Sequence, residues 1–166
     1  MKTTNFKIAA LLVAVMTIGF SFTTINKVTV KGSDTMVILS QKWAEVYMKK
    51  NPGTSIQVTG GGSGVGLAAL INGSTDIANS SRPIKAAEVE KLKARYNTMG
   101  VEIACAKDGL SVYLNKANPV ASLTIKQIGQ IFAGKITNWK DVGGPDAAIK
   151  LYGRESSSGT FGFFKD

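Results

Sequence analysis

The sequence has 166 residues, which is enough for one medium-sized domain, or for one domain and part of a second. Hydrophobic residues make up 44% of it and charged residues 19%, a mixture that is typical of globular proteins and excludes a disordered or fibrous chain. The formal net charge is +9, but the lysines are scattered among acidic residues without an arginine-rich or aromatic–basic run, which argues against nucleic-acid binding.

Residues 1–25 predict a secretory signal that is not part of the fold. Lys2 and Lys7 give the segment a positive start, an apolar stretch at residues 8–20 follows, and small residues come next. The stretch is shorter than the roughly 20 apolar residues of a spanning helix, although an uncleaved membrane anchor is the alternative. No cysteine lies near residue 20, which excludes lipoprotein processing there. We therefore expect an exported protein.

Strand and helix patterns alternate along the rest of the chain. Short β-rich runs predict strands at residues 27–31, 55–59, 76–79, 101–106, 110–114 and 149–152. Apolar residues at helical spacing predict helices at residues 36–50, 67–71, 83–96 and 125–133, with another beginning at Gly159. Thr124 is predicted to be the N-cap of the helix that follows it. This order predicts an α/β fold with a largely parallel sheet, in which ligands bind at the loops after the strands.

Residue types that are absent or rare exclude several functions. The chain has no histidine, so neither a Ser–His–Asp triad nor a histidine-ligated zinc site can form within it. Cys105 is the only cysteine, which rules out an internal disulfide, and its apolar surroundings predict that it is buried. No pair of carboxylates of the glycosidase type stands out. We therefore predict no catalysis, no metal and no cofactor.

Four predicted strand-to-helix loops share glycines and hydroxyl side chains. They are residues 32–35, 60–64, 80–82 and 154–160. A helix N-terminus has unpaired N–H groups with a partial positive charge, glycines allow close backbone approach, and hydroxyls add neutral donors. Several such loops directed at one point would hold an oxyanion such as phosphate, and Arg82 and Arg154 can add bidentate, charge-assisted bonds.

Each loop also has an ordinary structural explanation. Serine, threonine and aspartate before a helix are most often N-caps, and for Asp34 that explanation is as good as a binding role. The glycines at residues 60–64 can serve a tight turn, and this run matches no P-loop, dinucleotide-binding motif or nucleophile elbow. Arg82 precedes Pro83 and is also explained as a surface residue. The oxyanion interpretation therefore depends on all four loops together, and on Arg154 lying four residues before Ser158.

Three segments make the sequence resemble the periplasmic substrate-binding proteins of ABC-type phosphate importers, a type II substrate-binding family. They are GSDTM at residues 32–36, VTGGGSGVGLAALINGSTDIANSSRPI at 58–84, and LTIKQIGQIFAGKITNWKDVGG at 123–144 followed by GRESSSGTFGFF. The last is the most specific. The resemblance implies a two-lobed α/β fold that closes on a dehydrated phosphate and delivers it to a membrane permease. It implies a first lobe at residues 26–106, a second lobe that begins at 107 and is incomplete at 166, a monomer and a periplasmic location.

The resemblance also nominates binding residues. Arg154, Ser158, Gly159 and Thr160 match the family's arginine and S-G-T loop, Ser63 matches the serine after its glycine loop, and the first loop contributes Ser33 and Thr35. Together with the loop analysis, the predicted phosphate-binding residues are Ser33, Asp34, Thr35, Ser63, Ser81, Arg82, Arg154, Ser158, Gly159 and Thr160.

One position departs from the family pattern. Ser81 stands where some members carry an aspartate that accepts the proton of hydrogen phosphate, and Asp34 is the nearest acidic replacement in sequence. The choice between phosphate and sulfate is therefore open at this point. The alternatives are a receptor for another tetrahedral oxyanion, such as sulfate, molybdate or tungstate, or a secreted phosphate-handling enzyme. The lack of histidine argues against the enzyme.

Overall fold

A computed structural model describes residues 25–165, so the predicted signal lies outside the described residues except for Ile25. Three strands form one parallel sheet: β1 (Asn26–Gly32), β2 (Thr54–Thr59) and β3 (Ile77–Asn79). β1 lies in the middle, in the order β2-β1-β3. The predicted α/β fold with a parallel sheet is confirmed.

Helices connect the strands and continue beyond them. They are α1 (Val37–Lys50), α2 (Ser63–Asn72), α3 (Ala86–Tyr96), α4 (Ile125–Phe132) and α5 (Gly159–Lys165). Short 3-10 turns at Asp34–Met36 and Trp139–Val142 complete the set. Among residues 25–165, no helix combines the length and the apolar character needed to span a membrane.

Local chemistry explains where several helices begin and end. The hydroxyl of Thr124 accepts the backbone N–H of Gln127, which confirms it as the N-cap of α4. Gly73 ends α2 in the left-handed conformation, with φ of 73°. α3 begins after the predicted position because Pro83 is followed by a capping arrangement in which Glu88 accepts the N–H of Lys85.

The core of the sheet region is small. α2 packs against β1 and β3, and α1 packs against β2. Val30 of β1 and Leu67 of α2 are buried there. On α1 the buried residues are Ser40 and Ala44, and the amide of Asn79 donates to the Ser40 hydroxyl at 2.8 Å. Because small and polar residues face the sheet, most of the apolar residues that predict α1, including Trp43, remain exposed.

Three predicted strands are wrong. Residues 101–106 and 110–114 are exposed for most of their length and pair with no strand in the described part of the chain. Residues 149–152 form no strand either, although an isolated bridge joins Asn138 to Ala148 just before them. A β-rich run becomes a strand only where a neighbouring backbone supplies its hydrogen bonds. For the same reason the prediction that Cys105 is buried is wrong, since it lies exposed in one of these segments.

Candidate oxyanion-binding site

Three of the four predicted loops meet at one edge of the sheet, because the strands before them are parallel neighbours. The backbone N–H of Ser33 donates to the carbonyl of Asn79 at 2.9 Å. The N–H of Gly62 donates to the carbonyl of Gly32 at 3.0 Å. A side chain at Gly32 would collide with the Asn79 carbonyl, so glycine is needed where these loops cross.

Buried hydroxyl groups lie at this edge. Ser63, the first residue of α2, is completely buried, and its Oγ accepts the N–H of Ser81 at 3.1 Å. The two serine hydroxyls are 3.3 Å apart. Ser33 is also buried, and its hydroxyl shares a hydrogen bond of 2.8 Å with that of Thr35. Among the residues that the structure describes, every buried side-chain N or O atom has a hydrogen-bond partner.

The fourth loop, around Ser158, joins the same cluster from far along the chain. The carbonyl of Ser157 accepts the N–H of Gly64 at 2.9 Å. A methyl group at Gly159 would collide with the hydroxyl oxygens of Ser63 and Ser81, so only glycine allows this approach. Ser158 is buried and its Oγ accepts the N–H of Phe161, and Thr160 is half-buried at the start of α5.

Arg154 forms a charged cluster with Asp34 and Glu155. Its Nη2 donates to Asp34 Oδ2 at 3.0 Å, and its Nε and Nη2 donate to the carboxylate of Glu155. The hydrogen bonds to Glu155 are the main reason that the pKa of Arg154 is raised, while Arg154 lowers the pKa of Glu155. Asp34 Oδ1 accepts the N–H of Gly61 at 2.7 Å. Asp34 therefore links three loops, whereas an N-cap would accept from its own helix.

Arg82 is placed differently from Arg154. Its guanidinium donates to both oxygens of Glu88, at 2.9 and 2.7 Å, and to the carbonyl of Pro83 at 2.9 Å. Its side chain is only 10% exposed, so the alternative of a surface residue is not supported. Arg82 lowers the pKa of Glu88 through these hydrogen bonds. The side-chain stem of Arg82 lies beside Gly162 of α5, so Arg82 connects the third loop to two helices.

The structure thus gathers the predicted residues of all four loops around the sheet edge. The contributions that sequence reasoning missed are the Ser157 carbonyl, which no side-chain pattern can reveal, and Glu155. Glu155 could have been singled out as the acid next to Arg154. In residues 25–165 no group of three or more acidic or cysteine side chains is placed to hold a metal ion.

An open groove lined mostly by apolar residues lies elsewhere on the molecule. It has a volume of about 440 Å³ and is lined mainly by residues of the 110–114 and 120–123 segments. Its lining includes none of the charged or glycine-rich loops described above. A small polar anion would find no charge complementarity there.

A family model described as "PBP superfamily domain" matches residues 21–166, so the chain belongs to the PBP superfamily. Protein SphX of Synechococcus elongatus is 37% identical over 145 residues, covering 84% of this chain and 43% of the relative. The phosphate-binding protein PstS of Pseudomonas aeruginosa is 31% identical over 147 residues, covering 81% of this chain and 46% of the relative.

A solved structure from Clostridium perfringens is similar as well. That protein is described as the substrate-binding protein of a phosphate ABC transporter, and its crystal structure contains bound phosphate. The TM-score is 0.74 and the identity 35%, over 84% of this chain and 55% of that one. The resemblance drawn from the sequence motifs is therefore confirmed. The chain spans about half the length of the relatives that it matches.

Proposed function

We propose that this chain captures inorganic phosphate at the edge of the sheet where the four loops meet. The observation that carries the proposal is the contact of Gly159 with the hydroxyls of Ser63 and Ser81. It brings hydroxyl and N–H donors from three distant loops together, and Arg154 of the 154–160 loop adds a guanidinium that contacts the first loop at Asp34. Clustered N–H and O–H donors near one fixed positive charge suit a small oxyanion. The names of the similar proteins, which include phosphate-binding proteins, support the same ligand.

The hydroxyls would supply neutral donors and Arg154 the positive charge. Ser33, Thr35, Ser63 and Ser81 are bonded to one another or to backbone, and a hydroxyl can rotate toward a new acceptor because it is both donor and acceptor. The further donors that we assign to the anion are those of Arg82, Ser158, Gly159 and Thr160.

Asp34 would provide discrimination between anions. Near neutral pH phosphate carries a proton and sulfate does not, so a carboxylate can accept a hydrogen bond from phosphate but repels sulfate. Asp34 is suited to this role because Gly61 and Arg154 hold it at the junction of the loops. Hydroxyl and guanidinium donors alone cannot make this distinction.

The wider role that we propose is that of an exported receptor without catalytic activity. Residues 26–106 would form the first lobe and residues 107–166 would belong to the second, with the anion bound where the four loops meet. The occupied protein, a monomer, would present phosphate to the membrane permease of an ABC importer outside the cytoplasm. The similar proteins named for phosphate transport support this role.

Isothermal titration of the whole chain with phosphate, sulfate and molybdate tests the proposal. We expect a heat of binding with phosphate and none with an equal concentration of sulfate. Tighter binding of sulfate or molybdate would instead identify a receptor for that anion, and the absence of binding to all three would refute the proposal. Release of p-nitrophenol from p-nitrophenyl phosphate, with and without divalent metal, would contradict a role without catalysis.

A further inference from the structure

Two carboxylates occupy the guanidinium of Arg154. Glu155 accepts from Nε at 3.1 Å and from Nη2 at 3.0 Å, and Asp34 accepts from Nη2 at 3.0 Å. A guanidinium binds a tetrahedral oxyanion best through two parallel N–H bonds on one edge of its planar fork. The fork has two such edges, one formed by Nε and Nη2 and the other by Nη1 and Nη2, so each edge includes an N–H of Nη2. Both N–H bonds of Nη2 are engaged here, one by Glu155 and one by Asp34. A bidentate contact with an anion therefore requires one carboxylate to leave.

The two carboxylates are held to different degrees. Asp34 also accepts the backbone N–H of Gly61 at 2.7 Å, which fixes it to the distant glycine loop. The side chain of Glu155 is 53% exposed, against 42% for Asp34, and its carboxylate has only local partners here: the guanidinium of the preceding residue and the backbone of Glu155 itself. An exposed ion pair is only slightly more stable than its separated, hydrated partners. Glu155 is therefore the carboxylate that can turn into solvent at little cost.

We infer that Glu155 is an internal competitor for the anion at Arg154 and thereby sets the affinity of the site, an inference that rests on the proposed function. Before binding, Glu155 holds the Nε and Nη2 edge of the fork. An arriving anion takes over this edge, and Glu155 moves into solvent. Its negative charge then stays near the bound anion and repels it. Both effects make binding weaker than Arg154 would otherwise allow.

A single substitution that removes the charge of Glu155 distinguishes competition with the anion from positioning of Arg154 for binding. Glu155→Gln keeps the size of the side chain but removes its charge, so it competes poorly for the guanidinium. If Glu155 instead mainly positions Arg154 for binding, the same substitution weakens binding. The control is Glu45→Gln, which removes the same charge from an exposed glutamate that pairs with Lys42 on α1 at 2.9 Å.

Isothermal titration of the whole chain with inorganic phosphate gives the decisive comparison. We expect Glu155→Gln to bind phosphate about two- to fivefold more tightly than wild type at low salt, as expected for removing one exposed ion pair. The gain should shrink at about 0.5 M salt, where charges are screened within a few ångströms. Thermal unfolding without phosphate should give similar midpoints for Glu155→Gln and Glu45→Gln.

The possible results lead to different conclusions. Equal or weaker binding by Glu155→Gln, when the wild type binds phosphate, overturns the inference and leaves the proposed function intact. A gain that Glu45→Gln shares assigns the effect to net charge and likewise overturns it. If neither the wild type nor Glu155→Gln binds, the proposed function has failed, and the inference fails with it. Binding by Glu155→Gln alone supports both.

Discussion

Replacing Gly62 with alanine tests whether the glycine loop must contact the Arg154 loop for an anion to bind. Gly62 has a φ of +91°, and a methyl group there would lie 2.6 Å from the carbonyl oxygen of Ser157. Gly61 has a φ of +117°, yet a methyl group there would meet nothing closer than Cγ1 of Val65 at 3.5 Å. Alanine therefore strains the backbone at both positions and causes a collision only at residue 62.

The difference in energetic cost between Gly61→Ala and Gly62→Ala gives the expected difference in phosphate affinity. A non-glycine residue in such a backbone conformation costs on the order of 1–3 kcal/mol, which both variants share. The collision at residue 62 adds about 1–3 kcal/mol, because Ser157 must move away. That movement also stretches the 2.9 Å hydrogen bond from Gly64 to Ser157. If the loops must touch, Gly62→Ala should bind phosphate about 5- to 150-fold more weakly than Gly61→Ala.

The assay combines stability with binding. Denaturant unfolding, followed by the fluorescence of Trp43 and Trp139, gives the free energy of unfolding of each variant. Isothermal titration with phosphate then gives the affinity of the folded protein. Equal affinities for Gly61→Ala and Gly62→Ala would refute the reasoning, because the collision with Ser157 would then have no effect on the site.

The remaining predictions concern the charged residues. Arg154→Ala should weaken phosphate binding by about 2–5 kcal/mol, and Arg154→Lys should fall between alanine and wild type because it keeps the charge but not the fork; lysine binding as well as arginine would contradict this. Asp34→Asn should weaken phosphate binding and admit sulfate in competition titrations, since an amide does not repel a fully ionised anion; an unchanged preference would leave Asp34 with its loop contacts alone. Glu88→Gln should lower the free energy of unfolding at pH 7 by about 1–3 kcal/mol, as it removes charged hydrogen bonds with Arg82. Because hydrogen bonds from Arg82 lower the pKa of Glu88, this stability is present above the unfolded value of about 4.3 and is lost as pH falls through the lower folded pKa. The free energy of unfolding, measured with urea, should therefore vary less with pH across this range in Glu88→Gln than in wild type. An equal loss of stability in the exposed control Glu90→Gln would contradict the assignment.

Local signals in the sequence were sufficient for much of the fold. Three local signals each mark a helix terminus that the structure has. They are the breaker after residue 50, the glycine at residue 73 and the cap at Thr124, where α4 begins. The three strands before residue 80 were predicted because each alternates with a helix, and a parallel sheet is the usual result of that order. These features depend on neighbours within a few positions, so they can be read without a tertiary structure.

The pairing of strands and the burial of side chains could not be predicted from the same local signals. Residues 101–106 have the composition of a strand, yet no neighbouring backbone in the described chain pairs with them. α1 has a helical apolar pattern, but its buried positions are Ser40 and Ala44. Whether a segment is a strand, or which face of a helix is covered, depends on what another part of the chain places against it.

The candidate site also has features that the local sequence predicts and features that depend on the tertiary structure. The types of residue in the four loops, and their positions after strands, were enough to predict donors for an oxyanion. The pairing of Asp34 with Arg154, 120 residues later, and the occupation of that guanidinium by Glu155 emerged only when the chain was folded. Hydroxyl and glycine content is a local property of sequence, whereas the partner of each charge depends on long-range packing, which no local pattern encodes.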